Sequence, residues 1–122
     1  DHCNILFKII EKGKIGESYN IGGNQEISNI DLVKKICKIL DKEYPSKKLS
    51  NYQSLIIFVK DRPGHDFRYA IDSSKVEKNL NIFAHESITT GLEKTIKWYL
   101  SNTKWIDKIR KDKYNLERLG LS

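Results

Sequence analysis

The side chains best suited to binding an anion are concentrated in one short segment, from Asp61 to Arg68. The segment reads Asp-Arg-Pro-Gly-His-Asp-Phe-Arg and holds two of the four arginines of the chain. A planar guanidinium matches the oxygens of a phosphate group better than a lysine ammonium does. Pro63 fixes one φ angle and Gly64 permits a positive one, so the turn should hold its shape. On composition alone, the same residues could equally form a surface turn held by local salt bridges.

Asn29 is a second candidate for contact with an anion, because it lies at the predicted start of a helix. Free backbone N–H groups and the helix dipole favour negative charge at such a position. With Arg62 and His65, Asn29 would suit a sugar nucleotide diphosphate, in which polar rings flank two phosphates. Taken singly, Asn29 could be only a helix cap and His65 could make only a structural hydrogen bond.

Two other motifs resemble catalytic signatures but lie in the wrong structural context. Gly13-x-x-Gly16 is a fragment of a dinucleotide-binding loop, yet it follows a predicted helix where that loop requires a strand. Tyr44-x-x-x-Lys48 has the spacing of a dehydrogenase acid/base pair, which needs one continuous helix. Pro45 removes a backbone donor and disfavours helix at Tyr44, so the match is taken as accidental.

Composition indicates a globular chain: 39% of its 122 residues are hydrophobic and 31% are charged. Its net charge of +6 comes from lysines interleaved with acidic residues, which favours a solvated surface over a nucleic-acid partner. We expect no metal site and no membrane segment. Cys3 and Cys37 match no zinc or redox motif, so we expect free thiols in a reducing cytoplasm.

Hydrophobic periodicity and capping residues predict a mixed order of helices and strands. A continuous apolar run, from Leu55 to Val59, reads as a buried strand that leads directly into the arginine segment. The predicted helices cover residues 1–12, 28–42, 73–80, 87–100 and 105–109, and further short extended segments cover 18–21 and 69–71. The fold class is therefore predicted to be α/β.

Three groups of residues together resemble the C-terminal part of the dTDP-glucose 4,6-dehydratase family, within the extended short-chain dehydrogenases/reductases. They are Tyr19-Asn20-Ile21-Gly22-Gly23 with Glu26 and Asn29, Asp61-Arg62-Pro63-Gly64-His65-Asp66, and Arg68-Tyr69-Ala70-Ile71-Asp72. The late helix around Thr95–Leu100 is similar as well. Two departures occur after the short helix, where the family often has Leu-Gly-Trp and this chain has Leu80-Asn81-Ile82-Phe83. The resemblance covers nearly the whole chain.

The resemblance implies a substrate-binding role for a dTDP-sugar. Its contacts would come from Asn29 and from the loop of Asp61, Arg62, Pro63, Gly64 and His65, with Arg62 on the diphosphate. In the family, NAD oxidises C4 of dTDP-glucose, water leaves across C5 and C6, and hydride returns to C6. The cofactor loop and the catalytic residues of that reaction would lie upstream, so no catalytic or NAD-binding residue is expected here.

The resemblance also implies a division of the chain. Residues 1–24 would be a helix and strand of the NAD-binding Rossmann domain, missing here, and residues 25–122 would be the substrate-binding lobe. The whole enzyme would be a cytoplasmic homodimer. Two alternatives stay open: another nucleotide-sugar epimerase or dehydratase of the superfamily, and a non-catalytic module that binds sugar nucleotides.

Overall fold

The computed structural model describes residues 1–113, and its regular secondary structure is helical. The chain divides into two compact units, one made of Asp1–Ser28 with Arg68–Gly91 and the other of Asn29–Phe67 with Leu92 onward. The helices are α1 (His2–Lys12), α2 (Asn29–Glu43), a 3₁₀ helix (Tyr52–Leu55), α3 (Ser74–Leu80), α4 (Ile88–Ser101) and α5 (Thr103–Lys113). Their order and positions confirm the five helices predicted from the sequence.

In the first unit, α1 packs against α3. Each helix contributes one buried apolar side chain: Ile5 is 3% exposed and Val76 is 1% exposed. The carboxylate of Asp1 accepts hydrogen bonds from the backbone N–H groups of His85 and Glu86, at 3.0 and 2.7 Å. The first residue of the chain is thereby tied to a segment more than eighty residues away. Residues 1–28 thus form one unit with residues 68–91.

A polar cluster around the buried Ser73 links the turn at Gly23 and Asn24 to α3 in the same unit. Ser73 is 1% exposed, and its Oγ lies 2.8 Å from Asn24 Oδ1 and 2.7 Å from Glu77 Oε1. Asn24 Nδ2 also donates to Glu77 Oε1, at 2.7 Å. The buried hydroxyl of Ser73 therefore has hydrogen-bond partners, as a buried polar group requires.

The segments that follow Tyr19 and Tyr69 approach each other at Gly22 and Ile71, but neither segment is a β-strand. The close approach is made at Gly22, where a side-chain Cβ in place of the glycine hydrogen would lie 3.3 Å from Cβ of Ile71. Glycine at this position therefore leaves room for the Ile71 side chain. Among residues 1–113 no β-strand is present, so the strands of the predicted α/β fold are not confirmed.

The second unit is organised around α2 and the 3₁₀ helix that follows it. Asp41 Oδ1 accepts a hydrogen bond from the backbone N–H of Tyr52 at 2.8 Å, and the Tyr52 hydroxyl donates to the carbonyl of Tyr44. Lys97 on α4 forms an ion pair with Glu43 at 3.3 Å. Cys37 on α2 and Ile96 on α4 are the buried apolar residues of this unit, within the described part of the chain.

The prediction of a buried strand from Leu55 to Val59 is wrong. Leu55 ends the 3₁₀ helix, and the residues after it have no regular structure. Ile57 and Phe58 are 81% and 82% exposed. A strand is stable only when a neighbouring strand satisfies its backbone groups, and the described residues offer this segment no such neighbour.

Side chains cap the first turns of α4 and α3. At α4, Ser87 Oγ accepts from the N–H of Thr90 and Thr90 Oγ1 accepts from the N–H of Ser87, both at 3.1 Å, as in a capping box. At α3, the cap is supplied by Asp72, whose Oδ1 accepts from the N–H of Ser74 at 2.9 Å. The hydroxyl of Ser73 instead contacts Asn24 and Glu77.

Candidate functional site

The candidate site is the turn from Asp61 to His65, which belongs to the second unit. Asp61 Oδ1 accepts a hydrogen bond from the backbone N–H of Arg62 at 2.8 Å. The same oxygen lies 2.7 Å from His65 Nδ1 on the far side of the turn. Gly64 has a φ of +69°, a left-handed conformation that glycine adopts without strain. The carboxylate of Asp61 therefore contacts residues on both sides of the Pro-Gly turn, Arg62 and His65.

The electrostatics of the turn follow from these two hydrogen bonds. The hydrogen bond from His65, followed by that from the N–H of Arg62, lowers the pKa of the Asp61 carboxyl below its ordinary value. Asp61 is exposed, so this is a local effect of hydrogen bonding and not of burial. The carboxylate is consequently ionised throughout the neutral range.

Arg62 is the side chain of the turn that remains available to a ligand. It is exposed, and within residues 1–113 its guanidinium makes no hydrogen bond or ion pair. Its backbone is held by Asp61 while its five donors face solvent. A fixed backbone carrying a free guanidinium is a suitable arrangement for binding a phosphate group.

Arg68, the other arginine of the predicted segment, is already engaged. Its Nε and Nη2 donate to the two carboxylate oxygens of Glu26, at 2.6 and 2.7 Å, in a bidentate pair. This pair lies in the first unit. The hydrogen bond from Arg68 lowers the pKa of Glu26, and the one to Glu26 raises the pKa of Arg68. Arg68 is thus paired within the protein, whereas the guanidinium of Arg62 has no partner among the described residues.

Asn29 lies where the sequence predicted, as the first residue of α2, and its side chain is exposed. It belongs to the same unit as the turn. Among the described residues, no hydrogen bond or ion pair joins Asn29 to Asp61, Arg62 or His65. The structure therefore brings together the members of the turn through direct contacts, whereas Asn29 is placed only within the same unit.

The contact between Asp61 and His65 is a local interaction of a structured surface turn. The exposed guanidinium of Arg62 has no partner among the described residues, so a phosphate-binding role for Arg62 stays a prediction. The specific contact between Asp61 and His65 was not predicted from the sequence. The four-residue separation of Asp61 from His65 across a Pro-Gly turn could have indicated this contact from the sequence.

Other kinds of site receive no support from the described residues. Helix α2 ends at Glu43, so Tyr44 and Lys48 do not share a helix. Gly13 follows α1 directly, and residues 1–113 contain no strand, glycine turn and helix in the order that holds a dinucleotide. No group of His, Cys, Asp and Glu in this part of the chain could hold a metal ion. No helix among these residues is long and apolar enough to cross a bilayer.

Comparison with curated proteins gives a consistent set of relatives. The chain is 48% identical to a dTDP-glucose 4,6-dehydratase of Escherichia coli, over 99% of the chain and 34% of the relative. It is 50% identical to a probable dTDP-glucose 4,6-dehydratase of Sinorhizobium fredii, over the same shares. The enzyme of Neisseria meningitidis is 44% identical, over 98% of the chain and 34% of the relative. The chain thus spans about a third of the length of these relatives.

Solved structures and family models agree with these relatives. The crystal structure of dTDP-glucose 4,6-dehydratase from Bacillus anthracis, in complex with NAD, is 36% identical to the chain and aligns with a TM-score of 0.70. The alignment covers 85% of this chain and 30% of that one. The sequence model of the family described as GDP-mannose 4,6 dehydratase matches residues 1–95. Because that match covers more than half of this chain, the chain belongs to the GDP-mannose 4,6-dehydratase family.

Proposed function

We propose that this chain is the C-terminal, substrate-binding part of a dTDP-glucose 4,6-dehydratase, the enzyme that converts dTDP-glucose to dTDP-4-keto-6-deoxyglucose. Its site would be formed by Asn29 and the loop of Asp61, Arg62, Pro63, Gly64 and His65. The names of the relatives support the reaction, and the geometry of the turn supports the binding role. The observation that carries the proposal is the unpaired guanidinium of Arg62 on a turn whose backbone is held by Asp61.

Each part of the proposed site has a distinct task. Arg62 would bind the diphosphate through two parallel charge-assisted hydrogen bonds. Asn29, at the first position of α2, would offer its amide and the neighbouring backbone N–H groups to a polar part of the nucleotide. His65 would present one ring nitrogen to a hydroxyl or phosphate oxygen. The set binds and orients a substrate, and it supplies no group for oxidation or elimination.

The finer features of fold and assembly also belong to this proposal. In the full-length enzyme, residues 1–24 would complete an NAD-binding Rossmann domain and residues 25–122 would form the substrate lobe of an α/β fold. The NAD of the solved relative would be held by segments outside this chain, because residues 1–113 contain no suitable loop. The enzyme would act as a cytoplasmic homodimer.

A calorimetric titration with dTDP tests the proposal. We expect Arg62→Ala to weaken binding by about ten- to a hundred-fold, since losing a charge-assisted hydrogen-bond pair costs roughly 1.5–3 kcal/mol. Arg62→Lys should restore only part of the affinity, because an ammonium keeps the charge but lacks the planar fork. Arg110→Ala is the matched control, since it removes an exposed arginine of the same unit outside the turn.

The alternatives predict different titrations. Titrations with GDP and UDP test whether the site prefers another base. Tighter binding of either nucleotide than of dTDP would favour another dehydratase or epimerase of the superfamily. Equal dTDP affinities for the wild type and Arg62→Ala would exclude Arg62 as the diphosphate contact.

A further inference from the structure

We propose that Asp61 acts as a positioning residue, which holds the ring of His65 so that Nε2 is the nitrogen presented to the ligand. This inference rests on the proposed function of the turn and assigns Asp61 a role different from direct contact with substrate. It follows from the contacts within the turn.

The first step is the geometry of the pair. Asp61 Oδ1 and His65 Nδ1 are 2.7 Å apart, a distance typical of a charge-assisted hydrogen bond. The His65 side chain is 27% exposed, whereas that of Asp61 is 72% exposed. The ring is therefore the more enclosed member of the pair, and one of its nitrogens is already occupied.

The second step is the location of the shared proton. An ionised carboxylate can only accept, so a hydrogen bond between the two groups requires a proton on Nδ1. The lowered pKa of Asp61 keeps its carboxylate ionised at neutral pH. The neutral ring is thus held as the Nδ1–H tautomer, with its lone pair on Nε2.

The third step concerns what Asp61 itself can do for a nucleotide diphosphate. A carboxylate beside a diphosphate adds repulsion between like charges, so direct contact would weaken binding. Its engaged oxygen already accepts from Arg62 N–H and faces His65. If Asp61 orients the ring of His65 instead, its carboxylate need not contact the phosphates. Nε2 can then accept from a hydroxyl when the ring is neutral or donate to a phosphate oxygen when it is charged.

The tautomer can be measured directly by NMR on the chain labelled with ¹⁵N-histidine. The chain has three histidines, so His65→Ala assigns the signal of His65. In the neutral ring, we expect a protonated Nδ1 and an unprotonated Nε2 in the wild type. Asp61→Ala should shift the ring toward the Nε2–H form, and Asp66→Ala, which removes a neighbouring carboxylate of the same loop, should not. An Nε2–H tautomer for His65 in the wild type would by itself overturn the proposal.

A double-mutant cycle on dTDP affinity tests whether Asp61 acts through His65. Asp61→Ala should weaken binding about five-fold, equivalent to one ordinary hydrogen bond, and should have no further effect once His65 is alanine. Independent, additive effects would overturn the proposal. A chain with the expected tautomer that binds no dTDP would contradict the proposed function, whereas a chain that binds dTDP with the Nε2–H tautomer would contradict the role of Asp61 alone.

Discussion

At the scale of single residues, Arg62 and Arg68 lie in one segment but differ in whether their guanidinium donors are available to a ligand. Arg68 is held at both of its donor positions by Glu26, which precedes it by forty-two residues in the sequence. Arg62 has no such partner among the described residues. An arginine can bind a phosphate only if its donors are not already satisfied, so Arg62 is the better candidate.

The pair between Glu26 and Arg68 gives stability a pH dependence that can be tested. Because the hydrogen bond from Arg68 lowers the folded-state pKa of Glu26, the pair stabilises the fold above the pKa of the unfolded carboxyl. That stabilisation is lost as the pH falls through the lowered folded pKa. We therefore expect Glu26→Gln to be less stable than the wild type at neutral pH, with the difference vanishing in acid.

Urea denaturation across this pH range measures the effect. Glu11→Gln is the control, since it also removes one exposed negative charge but at an i, i+3 contact with Lys8. A difference between Glu26→Gln and the wild type that persists unchanged at low pH would contradict the assignment.

At the scale of elements, the end of α3 explains a departure from the related family. Asn81 caps this helix with φ +48° and ψ +49°, the left-handed conformation that glycine adopts most easily. The resemblance of this segment to the dehydratase family implies a glycine at this position. Asparagine is the next most tolerant residue there, so the substitution keeps the helix end.

Asn81→Ala should lower the free energy of unfolding by about 1 kcal/mol, because alanine in the left-handed region brings Cβ close to the next carbonyl oxygen. Asn81→Gly should leave stability equal or slightly higher. Asn79→Ala, an exposed position inside α3, is the control and should not destabilise, since alanine favours helix. Thermal unfolding of the three variants measures these differences, and equal losses at positions 79 and 81 would contradict the cap.

At the scale of the whole molecule, the described residues bury few apolar side chains. Four are buried, namely Ile5, Cys37, Val76 and Ile96, whereas eighteen large hydrophobic residues are exposed. The longest run of them lies within Leu55–Val59, next to the candidate site. Contiguous apolar surface of this kind favours association.

We expect the isolated chain to self-associate with increasing concentration, through the run at Leu55–Val59 among other surfaces. Phe58→Lys should weaken this association, because Phe58 is 82% exposed within the run. Ile15→Lys places the same charge at a fully exposed but isolated apolar residue and should have a smaller effect. Sedimentation velocity over a concentration series measures the association of each variant. A wild-type chain that stays monomeric throughout would contradict the expectation.

We also expect the 122-residue chain to form no 4-keto-6-deoxy sugar from dTDP-glucose, even with added NAD. The described residues lack a dinucleotide loop, and Tyr44 and Lys48 lie beyond the end of α2. A coupled assay for the keto product checks this. Product formation by the purified chain would mean that the chemistry resides in these residues after all.

The sequence by itself determined the helices, the shape of the arginine turn and the family. Helical hydrogen bonds join residues four apart, and caps and Pro-Gly turns act over similar distances, so local patterns are sufficient to place them. Tertiary structure decided which apolar runs are buried, which arginine is free and that Asp61 faces His65. The exposed segment from Leu55 to Val59 and the pairing of Arg68 with Glu26 depend on which distant groups come close. A short stretch of sequence carries no record of those neighbours.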